Sequence, residues 1–424
     1  MLFRDIDTKI AVIGLGYVGL PLAVELAKKF QVYGFDINKQ RIKNIKQNYD
    51  ETGELEKKKL KKTSAIISSD EKILLNANVF IVTVPTGINK KNLPDLRILK
   101  KSSTLLSKYI KKKTLIIYES TVYPGCTEEI CIPILKKNKK FKYNKDFFVG
   151  YSPERISPGD KKRNVTNITK IVSASNKKAL KQIKHIYSKI VKSGIYVAPS
   201  IKIAEAAKAI ENTQRDLNIG LMNELFVFFN KIKIPTKEVL KAASTKWNFL
   251  NFHPGLVGGH CIGVDPYYLT NKYKAVNLIP SIILSGRKTN NDFHKFIARK
   301  VDEIIKDNNL SKKKILVMGY SFKENCPDYR NTRVYHLIMD LQKKKIKLKI
   351  HDPYLQENKD NFPFKNLSIE SFEQHQNKYD LIILTVPHKI YLKKQNKILN
   401  LLTNKGLIYD FKSKLKNNKR IIQF

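Results

Sequence analysis

The chain has 424 residues, more than the roughly 250–300 at which one hydrophobic core stops growing, so two or three domains are expected. A hydrophobic share of 42%, a charged share of 28%, 18 Gly and 16 Pro fit a folded soluble protein and exclude a low-complexity or collagen-like chain. Lys+Arg 80 against Asp+Glu 37 leaves +43, a charge that suits nucleic acid, an acidic membrane or a polyanionic small substrate.

The excess is mostly Lys, scattered in runs such as 57–59, 111–113, 312–314 and 343–345. A nucleic-acid site gathers Arg and aromatics on one face. Compositional drift with solvated Lys faces is therefore the reading taken, and no nucleic-acid partner is expected.

The N-terminus reads as strand, tight turn, helix. Lys9–Ile13 is a short apolar β-type run, Gly14-Leu-Gly16-Tyr17-Val18-Gly19 follows at once, and Pro21–Phe30 spaces its apolar residues as a helix does. A second strand, Gln31–Phe35, ends at Asp36. Asn78–Val84, Thr114–Tyr118 and Asp146–Gly150 look like buried strands, so strands alternate with helices and a parallel sheet with crossover helices is predicted. Ile10–Val24 is apolar enough for a signal peptide, but Asp5 and Asp7 flank it, glycines and prolines interrupt it, and no small-residue cleavage site follows. No other run has the roughly 18–20 apolar residues of a membrane helix. Cys126, Cys131, Cys261 and Cys326 form no CxxC or zinc spacing, so a reducing, cytoplasmic compartment is expected, with no metal and no membrane partner.

In the middle, 201–232 has no Pro and a single Gly, Gly220, and carries Ile203, Ala206, Ala207, Ile210, Leu217, Leu221 and Leu225 at helical spacing. One helix of about 30 residues is predicted, a spine between domains or a dimer surface. Further helices follow Pro235 and Pro280. The C-terminal part repeats the first: Lys314–Gly319 resembles Lys9–Gly14, Ile346–Asp352 resembles Val32–Asp36, and Tyr379–Pro387 resembles Ala77–Pro85. The fold class expected is α/β: two Rossmann-like doubly wound domains joined by a helical middle domain.

Several of these residues can carry chemistry. Gly14 permits the tight turn, Gly16 lets the backbone approach a pyrophosphate at the helix N-terminus, and Gly19 lets helix and strand pack closely. Asp36 can accept ribose hydroxyls and repel a 2′-phosphate, which favours NAD over NADP, although Lys39 and Arg41 stand nearby. The second turn has Phe322 and Lys323 in place of glycines; it suits a different phosphorylated ligand or a half without one. In Gly258-Gly259-His260-Cys261-Ile-Gly263-Val-Asp265, the glycines allow close approach of a substrate. Cys261 is there either as a small buried hydrophobe or as a nucleophile whose thiolate a cation or helix N-terminus stabilises. Asp265 can orient water or act as a base. His253, His260 and Cys261 are poorly spaced for a metal. Lys208 and Asn212, four residues apart, share a helix face that is either solvated or turned into a cleft.

Together these stretches resemble the UDP-glucose/GDP-mannose dehydrogenase family of nucleotide-sugar 6-dehydrogenases. The resemblance runs over nearly the whole chain: GLGYVGLPLA at 14–23, TVPT at 83–86, ESTVYPG at 119–125, YSPERISPGD at 151–160, AEAAKAIENTQRDLNIGLMNE at 204–224, GLVGGHCIGVDPYYL at 255–269 and GYSFKENCPDYRNTR at 319–333. YSPERISPGD, with TKWNF at 245–249, resembles the branch that oxidises UDP-GlcNAc or UDP-GalNAc for Vi-antigen and O-antigen polysaccharides. UDP-glucose dehydrogenases carry a second Glu where this chain has Pro158.

The resemblance implies two successive oxidations of the sugar C6 hydroxyl with NAD, through a thiohemiacetal and a thioester on Cys261. It implies that Lys208 stabilises the oxyanion with Asn212 as its companion, that Asp265 and Thr121 hold a water, and that Glu154 is the acid–base carboxylate. For NAD it implies Gly14, Gly16, Tyr17, Val18, Gly19, Asp36, Arg41, Thr86, Ser120, Thr121 and Arg330. For the UDP-sugar it implies Glu154, Arg155, Lys208, Asn212, Phe252, His253, Gly255, Gly258, Phe322 and Lys323. The expected domains are 1–198 for NAD, 199–300 with the long helix and the Cys loop, and 301–424 for the UDP-sugar, in a homodimer built on the long helix. His253 stands where the branch has Arg, Asn251 replaces a Pro, and Gly87 replaces a Pro after Thr86. UDP-glucose or UDP-N-acetylmannosamine oxidation is the alternative among enzymes; a basic nucleic-acid-binding protein on the same scaffold is the alternative of another class.

Overall fold

Runs of Ile, Val and Phe that are apolar at every position bury both faces, and in α/β proteins helices on either side of a parallel sheet supply the cover. The computed structural model, which describes residues 2–156, 163–310, 314–344, 346–354, 362–364 and 378–423, shows this arrangement twice. By its internal contacts the chain divides into two units, Met1–Asn212 with Tyr267–Ile279, and Thr213–Pro266 with Pro280–Phe424. Pro158 lies outside the described residues.

The first unit runs β1 (Lys9–Ile13), α1 (Gly19–Leu26), β2 (Gln31–Phe35), α2 (Lys39–Lys46), α3 (Lys57–Lys61), β3 (Ile66–Ser68), β4 (Val79–Val82), the short β5 (Gly87–Ile88) and β6 (Pro94–Asp95), α4 (Arg97–Ser107), β7 (Thr114–Tyr118), α5 (Ile132–Leu135), β8 (Phe147–Tyr151), β9 (Lys170–Ala174), α6 (Lys177–Ser188) and β10 (Ile195–Val197). Eight strands form one sheet in the order β10-β9-β8-β7-β4-β1-β2-β3. All pairs are parallel except β8 with β9, a departure from the expected all-parallel sheet; an antiparallel neighbour needs no crossover helix. α1 is buried on nearly every side, only Glu25 reaching intermediate exposure, because it packs in the core behind the first turn. It starts at Gly19, two residues earlier than predicted, and ends at Leu26, short of Phe30.

α7 (Ile201–Lys231) is the long helix, 31 residues and roughly 47 Å from end to end at 1.5 Å per residue. α8 (Thr236–Ala243), α9 (Asp265–Ala275) and α10 (Ser281–Asp307) follow. Within the second unit Gly220 of α7 faces Gly286 of α10. A Cβ on Gly220 would lie 3.2 Å from the Gly286 carbonyl, and one on Gly286 would lie 2.4 Å from Leu217. Glycine lets these two backbones come this close.

The second sheet is β12-β11-β13-β14-β15, from β11 (Lys314–Met318), β12 (Lys347–His351), β13 (Tyr379–Leu384), β14 (Leu402–Tyr409) and β15 (Ile421–Ile422), with α11 (Val334–Lys343), α12 (Lys389–Lys393) and α13 (Gln395–Asn400). The repeat seen in the sequence extends to single atoms. After β1, Gly14 (φ +91°) donates its N–H to Phe35 O at 2.8 Å, and Thr83 Oγ1 donates to Gly14 O at 2.7 Å. After β11, Gly319 (φ +97°) donates to His351 O at 2.8 Å, and Thr385 Oγ1 donates to Gly319 O at 2.5 Å. Each turn therefore needs a glycine for its positive φ and a Thr from the end of a neighbouring strand of the sheet to latch it.

Candidate active site

In the first unit the glycine-rich turn has the shape its sequence predicts. A Cβ on Gly19 would stand 1.8 Å from Gly14 O and 2.4 Å from Thr83 Oγ1, whereas nothing lies within 4 Å of one on Gly16. Gly19 is thus a packing glycine, and Gly16 opens onto free space at the N-terminal end of α1, where backbone N–H groups and the helix dipole favour a phosphate. That open space fits a dinucleotide pyrophosphate. Tyr17 and Val18, also expected at the cofactor, are the residues immediately before α1. Asp36 ends β2 half-exposed; one carboxylate oxygen takes the Leu15 N–H at 2.8 Å and the other the Asn38 N–H at 2.9 Å.

Arg41 is placed differently from its expected role. It is 4% exposed, donates Nε to Leu15 O at 2.8 Å and Nη2 to Asp50 at 2.7 Å, and Asp50 in turn accepts from Thr52. Its charge is neutralised inside the protein, so it braces the back of the turn from α2. Across the sheet, Thr86 Oγ1 donates to Thr121 O at 2.7 Å and Ser120 Oγ donates to Val84 O at 2.6 Å. The expected cofactor residues Thr86, Ser120 and Thr121 are thereby tied into one rim at the ends of β4 and β7. Glu205 of α7 supports the loop beyond it, accepting from the Gly125 and Thr127 N–H groups at 2.5 and 2.9 Å; burial pushes its carboxyl up to about 7.

Lys208 and Asn212 lie on one face of α7, and the structure turns that face inward: Lys208 is 7% and Asn212 9% exposed. The Lys208 ammonium has no hydrogen-bonding or ionic partner among the described residues. Its stem is packed away while the charge at its tip remains available to a ligand. Glu154, after β8, receives the N–H groups of Arg155 and Ile156 at 2.6 Å each and Lys170 Nζ at 3.3 Å. Burial alone would raise its pKa, but Lys170 and the two backbone donors outweigh that and hold the carboxyl below its ordinary value. Arg155 points elsewhere, to Glu211 at 2.8 Å.

In the second unit, Cys261 is half-buried in the turn that leads into α9, and its carbonyl accepts from the Val264 and Asp265 N–H groups at 3.0 and 2.8 Å. Asp265, 2% exposed, is the first residue of that helix. Gly258 and Gly259 are required by contact: a Cβ on Gly258 would lie 2.7 Å from Asn331 O, and one on Gly259 (φ +86°) 2.6 Å from the Phe322 ring. The Cys loop and the Phe322–Lys323 turn are therefore neighbours, as a shared substrate surface requires. Arg330 grips Asp328 through two hydrogen bonds of 3.0 and 2.8 Å, and His260 Nε2 lies 3.5 Å from the same carboxylate. Burial works against the Asp328 charge, but His260 and Arg330 keep its pKa well below the usual range.

The loop carrying Phe252 and His253 is anchored at Gly255, which exchanges two hydrogen bonds with the Asn223 side chain at 2.8 and 3.1 Å. His253 borders a cavity of about 250 Å³ together with Asn251, Lys412 and Lys414. Burial and those two lysines lower its pKa, so it is neutral where a cation was expected in the branch. The Asp352 carboxylate, counterpart of Asp36, is used up by its own turn: it accepts from Tyr320 N, Ser321 N, Ser321 Oγ and His388 Nε2 at 2.6–3.0 Å. No helix follows that turn until α11. It lacks both the ribose acceptor and the phosphate cradle of the first.

Sequence reasoning missed Asn223, Asp352 and Lys170. Each is a polar residue whose partner is distant in sequence, so sequence spacing gave no signal that paired it. Among the described residues no cluster of metal ligands occurs and no helix is long and apolar enough to cross a membrane.

Three domains of the UDP-glucose/GDP-mannose dehydrogenase family match the chain: the NAD binding domain over residues 8–191, the central domain over 202–292 and the UDP binding domain over 316–417. Protein CapL of Staphylococcus aureus is 48% identical, and the UDP-N-acetyl-D-glucosamine 6-dehydrogenase of Salmonella typhi 45% identical, each over 96% of both chains. Among solved structures, the UDP-D-ManNAc dehydrogenase of Pyrococcus horikoshii superimposes with a TM-score of 0.86 at 26% identity over 98% of both chains.

Proposed function

The chain belongs to the UDP-glucose/GDP-mannose dehydrogenase family and is an NAD-dependent UDP-sugar dehydrogenase; from that premise we propose that its substrate is a UDP-N-acetylhexosamine, UDP-GlcNAc or UDP-GalNAc, oxidised at C6 to the uronate for a surface polysaccharide. The observation that carries this reading is the 45% identity, over 96% of both chains, with a UDP-N-acetyl-D-glucosamine 6-dehydrogenase. The 26% identity of the UDP-D-ManNAc dehydrogenase makes that epimer the second choice.

NAD, held by the turn at Gly14–Gly19, supplies the hydride acceptor for two successive oxidations. The protein's own residues do the rest. Glu154, kept ionised, takes the hydroxyl proton as the alcohol becomes an aldehyde. The Cys261 thiolate adds to that aldehyde, so a thiohemiacetal, and not a free aldehyde, enters the second oxidation; water then cleaves the resulting thioester to release the carboxylate and the thiol. Lys208 meets the negative charge that develops on the sugar oxygen in both steps, its side chain held in place by a largely buried stem. Asp265 and Thr121 hold the hydrolytic water. The cytoplasm, where UDP-sugars and NAD are available, is the proposed location, and α7 is the proposed homodimer spine: it leaves Ile203, Ile210, Leu221 and Phe228 exposed at steps that return to one helix face.

The test is a panel of UDP-sugars with NADH counted against uronate. Two NADH per UDP-GlcNAc or UDP-GalNAc is expected; turnover of UDP-glucose or UDP-N-acetylmannosamine alone would refute the substrate assignment. Cys261→Ser should stop after the first oxidation or trap an ester, and uronate production at the wild-type rate by this variant would sink the covalent route.

A further inference from the structure

Behind Glu154 lies a group of buried charges that the reaction as described does not use. Lys170 is the first residue of β9 and its only charged one, and is 3% exposed. Its ammonium donates to Glu119 Oε2 at 2.7 Å and to Glu154 Oε2 at 3.3 Å, and lies 5.2 Å from the centre of the Tyr187 ring. Glu119, which follows β7, has a side chain with no exposure; its other oxygen accepts from Tyr187 Oη of α6. The Glu154 side chain is 11% exposed, the member of the cluster that reaches outward. Two carboxylates and one ammonium thus share a dry space, and the geometry is asymmetric: one acid is sealed in, the other is presented.

We propose that Lys170 is a positioning residue for Glu154, dividing its ammonium between the sealed Glu119 and the presented Glu154 so that the acid–base carboxylate is anionic and in one orientation when the hydroxyl proton is to be taken. This rests on the reading of Glu154 as the acid–base group. An unpartnered carboxylate in this space would take up a proton, because burial disfavours its charge and a second carboxylate repels it. Lys170 opposes both effects at Glu154. Glu119 serves as the buffer: burial, partly offset by Lys170 and reinforced by Glu154, pushes it up to about 7, so the proton that the cluster gains near neutrality goes to the sealed acid. The groups facing Glu154 are Lys170 from β9, Glu119 from the end of β7 and Tyr187 from α6, with the Arg155 and Ile156 N–H groups on its own segment; the Arg155 guanidinium is occupied by Glu211 of α7.

The experiment is the kcat-versus-pH profile of the full-length enzyme with UDP-GlcNAc and NAD. In Lys170→Met two buried carboxylates lose their common cation, and the acid limb of kcat is expected to move up by at least one pH unit, with the KM for NAD changed less than twofold. Lys170→Arg keeps the cation and should keep the wild-type limb. Glu119→Gln/Lys170→Met removes the repelling neighbour as well and should bring the limb back toward wild type. An unmoved limb in Lys170→Met, or a loss of kcat equal at every pH, overturns the proposal, since the latter marks a purely structural lysine. If Lys170→Met does not fold, Glu119→Gln is compared with the double variant: the limb must lie higher in the double variant, and coincident limbs overturn the proposal. Glu154→Gln separates the two layers. Wild-type kcat in that variant sinks the acid–base reading and this proposal with it, whereas an inactive Glu154→Gln beside an unmoved Lys170→Met limb sinks this proposal alone.

Discussion

Adding one methyl group at either end of the glycine-rich turn should have opposite consequences. At Gly16 nothing lies within 4 Å of the new carbon and φ is not positive, so Gly16→Ala should fold as wild type, within about 0.5 kcal/mol. The methyl would occupy the space through which a phosphate approaches the backbone, and NAD affinity should fall ten- to a hundredfold, about 1.4–2.8 kcal/mol. At Gly19 the methyl would lie 1.8 Å from a backbone oxygen and 2.4 Å from Thr83 Oγ1. Neither is the free end of a flexible chain, because Thr83 is itself bonded to Gly14 O. α1 must then move away from the β1 turn by more than an ångström, so Gly19→Ala should cost about 1–3 kcal/mol of stability, the range for overpacked cores, as well as NAD binding. Urea unfolding without cofactor and calorimetric NAD titration measure the two effects separately. Wild-type NAD affinity in Gly16→Ala, or a wild-type unfolding midpoint in Gly19→Ala, would refute the assignment of one glycine to the ligand and the other to packing.

Lys208→Ala should lower kcat by roughly 10²–10³, the usual loss for one oxyanion-stabilising donor, with NAD affinity nearly unchanged; a parallel loss of NAD binding contradicts its role. Asn223→Ala leaves the Gly255 N–H and the Asn290 Oδ1 without partners in a buried place; about 2–3 kcal/mol of stability and a larger rise in KM for the sugar than for NAD are expected, and equal changes in both KM values would deny the loop its part in sugar binding. Glu324 is held at about 2 by Lys412, 3.1 Å away. Its folded pKa is depressed, so the stabilisation is complete above about pH 4.5 and is lost as pH falls toward 2. Because 36% of its side chain faces water, the pair is worth about 1 kcal/mol and not the full shift. Glu324→Gln should therefore lower the free energy of urea unfolding at pH 7 by that amount, and the gap should close on acidification; a gap independent of pH would refute the pairing.

The local order of the chain determined a great deal. Apolar runs with helical segments between them are enough to specify two doubly wound sheets, since such strands must be covered on both faces. The turn Gly14–Gly19 and the helix Ile201–Lys231 were legible because backbone conformation and helical period are set by residues close in sequence. The doubled architecture was legible for the same reason, and it extends to the matching Thr83 and Thr385 latches.

Which polar groups neutralise one another was decided only when distant segments met. In sequence Arg41 stands beside Asp36 as if to greet a cofactor; in space it is held by Leu15 O and Asp50. Asp352 matches Asp36 in register yet satisfies its own turn, with His388 arriving from beyond β13. Lys170 reaches Glu119, 51 positions earlier, because β9 runs antiparallel beside β8. Hydrogen bonds and ion pairs form wherever folding removes water from two complementary groups, and sequence spacing does not record that removal. The backbone plan of this enzyme is therefore written locally, while the charge state of each site residue belongs to the tertiary structure.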